Sequence, residues 1–393
     1  MRIAIFTNNY LPNPFGVSGS IESFRKQLEE AGHTVYVFAP SFKGYVDENE
    51  NVFRYPAIDL KFRGIRFPVV IPRSFNIDKI LSGLEIDIIH SQHPNLLGWE
   101  ARRWAKKKNV PLVFTWHTLY DQYAHFFPLV PRRLAAWWTI GNARKYADRA
   151  DQVIVPTASV KKIIEKWGVE NKNLEVIPTG VDEKQLTNPS REVVRKKYSI
   201  ATDEILLTVI TRLTKEKNLE FLLEAVAQVL KENQKVKFMV VGDGDLMENL
   251  KDITIKNNVS TQVIFSGFIP NEIKKDYYAA GDIFVFASKS ETQGMIISEA
   301  MYLGLPVVAV GGPGIQDMVE SGETGILVKE DKDEFCQAVL KLVGNPDLRK
   351  KYAQNGEKSV KEKYVSQVCT KSLLAVYEKA ILENKERKEA KAL

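Results

Sequence analysis

Glu291 and Glu299 stand eight positions apart in Glu291-Thr292-Gln293-Gly294-Met295-Ile296-Ile297-Ser298-Glu299. An apolar run at 283–287 precedes them, and helical periodicity continues through Ala300 and Met301. The two carboxylates therefore bracket a helix N-terminus. Its unpaired N–H groups and positive dipole end suit an anion such as a diphosphate. Glu291, just before the helix, is placed to accept hydrogen bonds from sugar hydroxyls. Glu299, about two turns along, is placed to reach a ribose diol. A solvent-facing acidic helix start has the same spacing and is favoured by the same dipole, so the pair alone does not decide.

Arg212 and Lys217 offer the opposite charge. They lie in Thr211-Arg212-Leu213-Thr214-Lys215-Glu216-Lys217-Asn218, directly after the apolar run 205–210. Two cations aimed at one point stabilise negative charge as it grows on a departing diphosphate. Arginine grips phosphate through two parallel bonds, and lysine acts as a point charge. The plainer alternative is a basic loop capping a strand.

Four of the five histidines, His90, His93, His117 and His125, fall within residues 90–125. His117 follows the apolar run 112–115 and is the preferred catalytic candidate; the other three are read as structural or acceptor-side. His90 and His93 are spaced across a loop, not at the helical i, i+4 interval of zinc sites. Asp243-Gly244-Asp245 has a metal-binding spacing, but it sits in a strand-to-helix turn and reads as turn chemistry. No metal and no cofactor are expected. The sequence contains no Gly-x-Gly-x-x-Gly, which argues against a dinucleotide dehydrogenase.

These residues need elements to hold them. Short apolar runs at 2–7, 34–39, 86–90, 112–115, 153–156 and 174–177 read as buried parallel strands, with helices at 21–31 and 97–107. The polar stretch 187–199 breaks the rhythm, and strand candidates resume at 205–210, 237–241, 262–265, 283–287 and 306–310. The expected class is α/β, with two doubly wound, Rossmann-like domains facing across a cleft where the strand C-ends meet. The expected boundaries are 1–182 for an N-terminal domain and 183–364 for a second. A C-terminal helix at 365–393 is expected to pack back toward the N-terminal domain.

Composition narrows the function classes. The chain has 393 residues, 44% hydrophobic and 26% charged, which is globular rather than disordered. Its two cysteines, Cys336 and Cys369, suggest neither a disulfide framework nor a zinc site, so a reducing cytoplasm is expected. Polar Thr7, Asn8 and Asn9 interrupt any secretory signal, and no run is long enough to span a bilayer. Net charge is +6, and residues 1–180 carry 24 Lys and Arg against 17 Asp and Glu. A basic half suggests an anionic partner. Without a basic-aromatic recognition motif, nucleic acid is not the expected one.

The stretch 288–310, SKSETQGMIISEAMYLGLPVVAV, resembles the nucleotide-sugar motif of glycosyltransferase family 4, whose members have the GT-B fold. Three further matches follow that family's order: Phe15-Gly16-Val17, Ile177-Pro178-Thr179-Gly180-Val181-Asp182, and the Arg212–Lys217 motif. The resemblance covers nearly the whole chain and implies a retaining, metal-independent hexosyltransferase, with 1–182 as its acceptor-binding domain and 183–364 as its nucleotide-sugar-binding domain. It assigns the donor diphosphate to Arg212 and Lys217, and a close backbone approach to Gly16. It assigns the nucleobase to the loop Gly267-Phe268-Ile269-Pro270 through Ile269. The remaining donor contacts are Glu291, Gln293, Gly294, Met295, Ile296 and Glu299. His117, Arg212, Lys217 and Glu291 are the implied catalytic set. In the family's usual account the acceptor hydroxyl attacks the face from which the phosphate leaves, and that phosphate takes the proton. No side chain is named as base. A sugar-nucleotide epimerase shares the fold class but matches these motifs less well.

His117-Thr118-Leu119-Tyr120 and Glu291-Thr292-Gln293-Gly294 are similar to the family's diacylglycerol glucosyltransferases. That implies a UDP-sugar donor, first UDP-glucose, and a membrane lipid acceptor. The alternatives are a GDP-sugar donor such as GDP-mannose, or a soluble sugar or polysaccharide acceptor. The first loop, Asn13-Pro14-Phe15-Gly16-Val17-Ser18-Gly19-Ser20, departs from the family's usual form. Residues 62–73 and 126–138 mix basic and large apolar side chains, as segments lying on anionic bilayers do. Arg132, Arg133, Trp137 and Trp138 are the expected membrane contacts, with Arg63 and Arg66 as secondary ones, and the expected location is cytoplasmic, on the inner face of the cell membrane. A buried helix with both tryptophans in the core is the competing reading.

Overall fold

The computed structural model describes residues 1–13, 16–62, 65–120 and 131–392. The chain divides into two units, Met1–Gly180 with Ser366–Leu393, and Val181–Val365.

Unit 1 is built on seven parallel strands: β1 (Arg2–Phe6), β2 (Thr34–Pro40), β3 (Val52–Tyr55), β6 (Ile88–Ser91), β7 (Leu112–Thr115), β8 (Gln152–Val155) and β9 (Leu174–Val176). Their order across the sheet is β3-β2-β1-β6-β7-β8-β9. A separate antiparallel ribbon pairs β4 (Ala57–Phe62) with β5 (Ile65–Val70). Parallel strands covered on both faces are apolar throughout, and successive side chains serve opposite faces. In β1, Ala4 and Phe6 join Phe38, Trp104 and Phe114 on one side. Ile3 and Ile5 join Val37 and Val113 on the other. That second core is completed by Leu373, Val376, Tyr377 and Ala380 of the final helix, Ser366–Ala392.

Unit 2 has six parallel strands in the order β12-β11-β10-β13-β14-β15. They are β10 (Ile205–Ile210), β11 (Val236–Val241), β12 (Val263–Gly267), β13 (Ile283–Phe286), β14 (Val307–Val310) and β15 (Gly325–Val328). Each sheet grows outward in both directions from a pair of neighbours that are not consecutive in sequence: β1 and β6 in unit 1, β10 and β13 in unit 2. At such a switch point the connections diverge to opposite sides and leave a crevice beyond the strand C-ends.

Several elements depart from the sequence expectation. The stretch 187–199 holds a helix, Arg191–Lys197, in which Val194 and Arg195 are buried. The Arg195 guanidinium is satisfied by the carbonyls of Ala201, Glu204 and Ala280 and by Asp282, so a charged residue serves as core. The first helix runs from Gly16 to Glu30, beginning five residues before the expected start at Ile21. Its early buried residues are small serines, and Ser20 Oγ lies 2.6 Å from Thr179 Oγ1. The strands β3 and β15 and the β4–β5 ribbon were not expected.

Candidate functional site

The unit 2 switch point joins the two charged motifs. After β10 the chain forms a short turn at Lys215–Lys217, and Asn218 closes it in the left-handed conformation at φ 54°. The loop is fixed from below. Leu213 N–H donates to the Asp243 carbonyl (2.9 Å) and Leu246 N–H to the Leu213 carbonyl (3.0 Å). Gly242 and Gly244 permit this approach: their φ values are +136° and +156°, and a Cβ would lie 1.9 Å from Thr211 O and 2.5 Å from Leu213 O, respectively. The Asp243-Gly244-Asp245 segment is thus a turn supporting the Arg212 loop. Arg212 faces Glu216 at 3.4 Å, and Thr214 Oγ1 donates to the same carboxylate at 2.7 Å.

After β13 comes the loop bearing Glu291. Lys217 Nζ donates to Glu291 Oε1 at 2.6 Å, and each side chain is only 15% exposed. The pair spans β10 and β13. Gly294, at φ +81°, turns the chain into the helix Met295–Tyr302, so Gln293, Gly294, Met295 and Ile296 form the helix entrance. Gly314 packs against this entrance; a Cβ there would lie 2.6 Å from the Thr292 carbonyl carbon. Glu299 is the fifth residue of the helix, one turn in rather than two. Lys274 Nζ donates to its Oε1 at 2.8 Å and the Tyr278 hydroxyl to its Oε2 at 2.7 Å. Burial first, and Glu299 second, hold the Tyr278 phenol well above its ordinary range, so it stays a donor. Ile269 lies between β12 and the helix Asn271–Ala280, packed against the unit 2 core.

In unit 1, His117 stands two residues beyond β7. Its Nε2 faces Gln92 Oε1 at 2.6 Å. Donation to that amide oxygen places the hydrogen on Nε2, and among the described residues no donor meets Nδ1. Burial pushes the ring down to about 3, helped by His93 and His90. His90 is structural: its ring bridges the Tyr377 hydroxyl (2.6 Å) and Thr115 Oγ1 (2.7 Å), and burial pushes it down to about 3. His93 follows β6, and burial pushes it down to about 4. His125 lies outside the described residues. Gly16 opens the helix Gly16–Glu30, and among the described residues nothing lies within 4 Å of where its Cβ would stand. No group of three or more His, Cys, Asp or Glu among the described residues is placed to hold a metal.

The helix Arg132–Ala147 buries Ala135, Thr139 and Ala143 on one face. Its other face presents Arg133, Leu134, Trp137 and Trp138, the tryptophans 74% and 56% exposed. The reading of both tryptophans as core is therefore overturned: Thr139 and the small alanines, not the indoles, make the packing face. Arg132 opens this helix. Arg66 lies in β5, and Arg63 and residues 126–130 lie outside the described residues. Among the described residues no helix is long and apolar enough to cross a membrane.

Sequence reasoning missed Lys274, Tyr278 and Gly314. Their partners are distant in sequence, and nothing local in Asn271-Glu272-Ile273-Lys274-Lys275-Asp276-Tyr277-Tyr278 distinguishes a glutamate clamp from an ordinary helix. It named His93 without its anchor, Asn8.

Two parallel sheets, each with a switch point and one with an ion pair and a helix entrance there, define a two-unit, doubly wound α/β architecture, and comparison with known proteins supplies the family. The model of "Glycosyltransferase Family 4" matches residues 16–185, and that of "Glycosyl transferases group 1" matches residues 190–359. The alpha-monoglucosyldiacylglycerol synthase of Streptococcus pneumoniae is 31% identical over 359 residues, 88% of this chain and 80% of its own. That of Acholeplasma laidlawii is 28% identical over 98% of this chain and 99% of its own. A GDP-mannose-dependent alpha-mannosyltransferase of Mycobacterium tuberculosis is 27% identical over 96% of each chain. In fold, the chain is similar to sucrose-phosphate synthase from Thermosynechococcus elongatus, with TM-score 0.81, 19% identity and coverage of 97% and 99%. It is also similar to Anabaena HepE in complex with UDP-glucose, with TM-score 0.76, 19% identity and coverage of 96% and 100%. The chain belongs to glycosyltransferase family 4, with the GT-B fold, and is a glycosyltransferase.

Proposed function

We propose that the chain transfers glucose from UDP-glucose, with retention of configuration, to diacylglycerol or a similar lipid at an anionic membrane surface. The observation that carries the donor half is the Lys217–Glu291 pair across the unit 2 switch point. In isolation the two charges satisfy each other. An arriving diphosphate draws Lys217 and Arg212 to itself, and Glu291 is released toward the sugar hydroxyls. The entrance from Gln293 to Ile296 offers backbone N–H groups to the phosphates. Glu299, held by Lys274 and Tyr278, takes the ribose, and the Ile269 loop takes the base.

As the bond from the anomeric carbon to the phosphate oxygen breaks, charge accumulates on the diphosphate, and the two cations stabilise it most at that moment. The acceptor oxygen bonds to the anomeric carbon from the same face. Its proton passes to the departing phosphate oxygen. His117, neutral with an open Nδ1, accepts a hydrogen bond from a substrate hydroxyl and needs no change of protonation. Because two side-chain cations carry the charge, turnover is expected to persist in excess EDTA.

The acceptor half rests on the similarity to the glucosyldiacylglycerol synthases and on the exposed Arg133, Trp137 and Trp138. Each basic residue near an anionic surface contributes about 1 kcal/mol, screened by salt. Tryptophan suits the headgroup boundary because its ring is apolar while its N–H stays hydrated. The test is product analysis with UDP-glucose or GDP-mannose, offered with diacylglycerol in anionic vesicles or with soluble sugars. Alpha-glucosyldiacylglycerol is the expected product. Transfer only from GDP-mannose overturns the donor, and transfer only to soluble sugars overturns the acceptor.

A further inference from the structure

Unit 1 has a second polar constellation, at its own switch point between β1 and β6. The backbone N–H of Asn8, two residues beyond β1, donates to His93 Nδ1 at 3.1 Å. A ring nitrogen that accepts carries no proton, so the neutral imidazole holds its hydrogen on Nε2. Among the described residues nothing is bonded to that Nε2–H.

Thr7 Oγ1 lies 3.5 Å from the same Nδ1, and the loops that carry the ring are tied at further points. Asn8 Nδ2 donates to the Asn95 carbonyl at 2.9 Å, and Asn8 Oδ1 accepts the Leu97 N–H at 3.0 Å. Ser91 Oγ donates to the His93 carbonyl at 2.8 Å. Gly98 lies directly over that carbonyl, where a Cβ would come within 1.9 Å of the oxygen. The loops after β1 and β6 are thereby tied together through the imidazole and the Asn8 side chain, leaving the ring a single oriented donor. The neighbouring His117 has the reverse polarity, donating at Nε2 and open at Nδ1. Asn8, Gln92, His93 and His117 are uncharged, so they complement a neutral oxygen rather than a phosphate.

We propose that the Nε2–H of His93 donates to an uncharged oxygen of the glycosyl acceptor, a hydroxyl or ester carbonyl, and is a determinant of acceptor choice. This rests on the transferase reading above. The test separates the two ring nitrogens. In His93→Asn the amide oxygen takes the Nδ1 position and keeps the tie to Asn8, but no donor remains at the Nε2 position. In His93→Gln the amide NH2 takes the Nε2 position and the tie is lost. Each full-length variant is assayed with UDP-glucose and anionic vesicles of graded diacylglycerol content, with UDP titration and thermal melting alongside.

His93→Asn is expected to melt like the wild type, bind UDP normally and need about tenfold more diacylglycerol for half-maximal rate, the effect of one lost hydrogen bond. His93→Gln is expected to melt earlier yet keep a nearly normal diacylglycerol dependence. The opposite pattern, with Asn normal and Gln impaired toward diacylglycerol, makes His93 a structural tie and overturns the proposal. An unchanged acceptor dependence in His93→Asn overturns it by itself if the Gln variant does not fold. Wild-type transfer to diacylglycerol is the control for the underlying reading: without it that reading fails, and the His93 assignment falls with it.

Discussion

The two sheets reverse direction at equivalent places, between β1 and β6 and between β10 and β13, and the side chains at the two reversals differ in kind. At the second, Lys217 and Glu291 are held together at low exposure, with Arg212 and Glu216 alongside. At the first, neutral hydrogen bonds join Asn8 to His93 and His117 to Gln92. A charge pair withdrawn from water gains little for stability by itself. It is useful where a third charge enters and redistributes the attraction. Neutral groups with fixed donors and acceptors attract nothing from a distance, but they discriminate hydroxyl from methylene at contact. The fold therefore assigns long-range attraction to one crevice and recognition of polarity to the other.

The largest effect expected from breaking this contrast comes from Lys217→Ala. Removing one transition-state charge contact is worth about 3 kcal/mol, or roughly 100-fold in turnover. UDP affinity should fall by much less, and steady-state kinetics beside calorimetry read both quantities. Near-normal turnover would remove the charge role from unit 2.

Next in size is the joint change Trp137→Ala and Trp138→Ala. Vesicle co-sedimentation is expected to weaken on the order of tenfold, since interfacial affinity scales with apolar area inserted. Wild-type binding should rise with anionic lipid and fall with salt. UDP binding and thermal stability should not move, because the two indoles are exposed. A wild type that ignores anionic vesicles withdraws the membrane surface from the proposal.

Tyr278→Phe sharpens the comparison within unit 2. It removes one of the two groups holding Glu299. A lost hydrogen bond of about 1 kcal/mol should weaken UDP binding roughly fivefold, with turnover at saturation little changed. Unaltered UDP affinity separates Glu299 from the nucleotide.

The last prediction is of a different kind, a dependence of stability on pH in unit 1. His90, His93 and His117 have folded values pushed down to about 3, about 4 and about 3, against an ordinary 6.5. Below the ordinary value the unfolded chain binds protons that the folded unit refuses. Unit 1 should therefore lose stability as pH falls from 6.5 toward 4, each histidine adding at most about 1.4 kcal/mol per pH unit. Above pH 7 all three are neutral in both states and the contribution is constant. Hydrogen exchange at pH 5 and 7 resolves the units. Equal loss of protection in both would show that the histidines do not set the difference.

Motifs that announce themselves locally were legible in the sequence. β7 and β10 have the bounds read from their apolar runs, and Lys217 meets Glu291 across unit 2's β10–β13 reversal. What stayed hidden depends on partners distant in the chain. Arg195 reads as a surface charge until the carbonyls of Ala201 and Ala280 surround it. Trp137 and Trp138 have the composition of either a core or a surface, and only the placement of Thr139 beneath them separates the two. His93 shows its donor nitrogen only once Asn8, 85 positions earlier, occupies the other one.

The final helix has a consequence for the order of synthesis. Leu373, Val376, Tyr377 and Ala380 close one face of a sheet whose first strand is Arg2–Phe6, yet all of Val181–Val365 intervenes. A ribosome therefore emits unit 2 as a continuous, self-sufficient stretch while Ile3, Ile5, Val37 and Val113 still lack their cover. The unit begun first is finished last. Through the translation of nearly two hundred residues its bare apolar face is what a chaperone would hold, and what aggregation would exploit in a chain stopped before the helix.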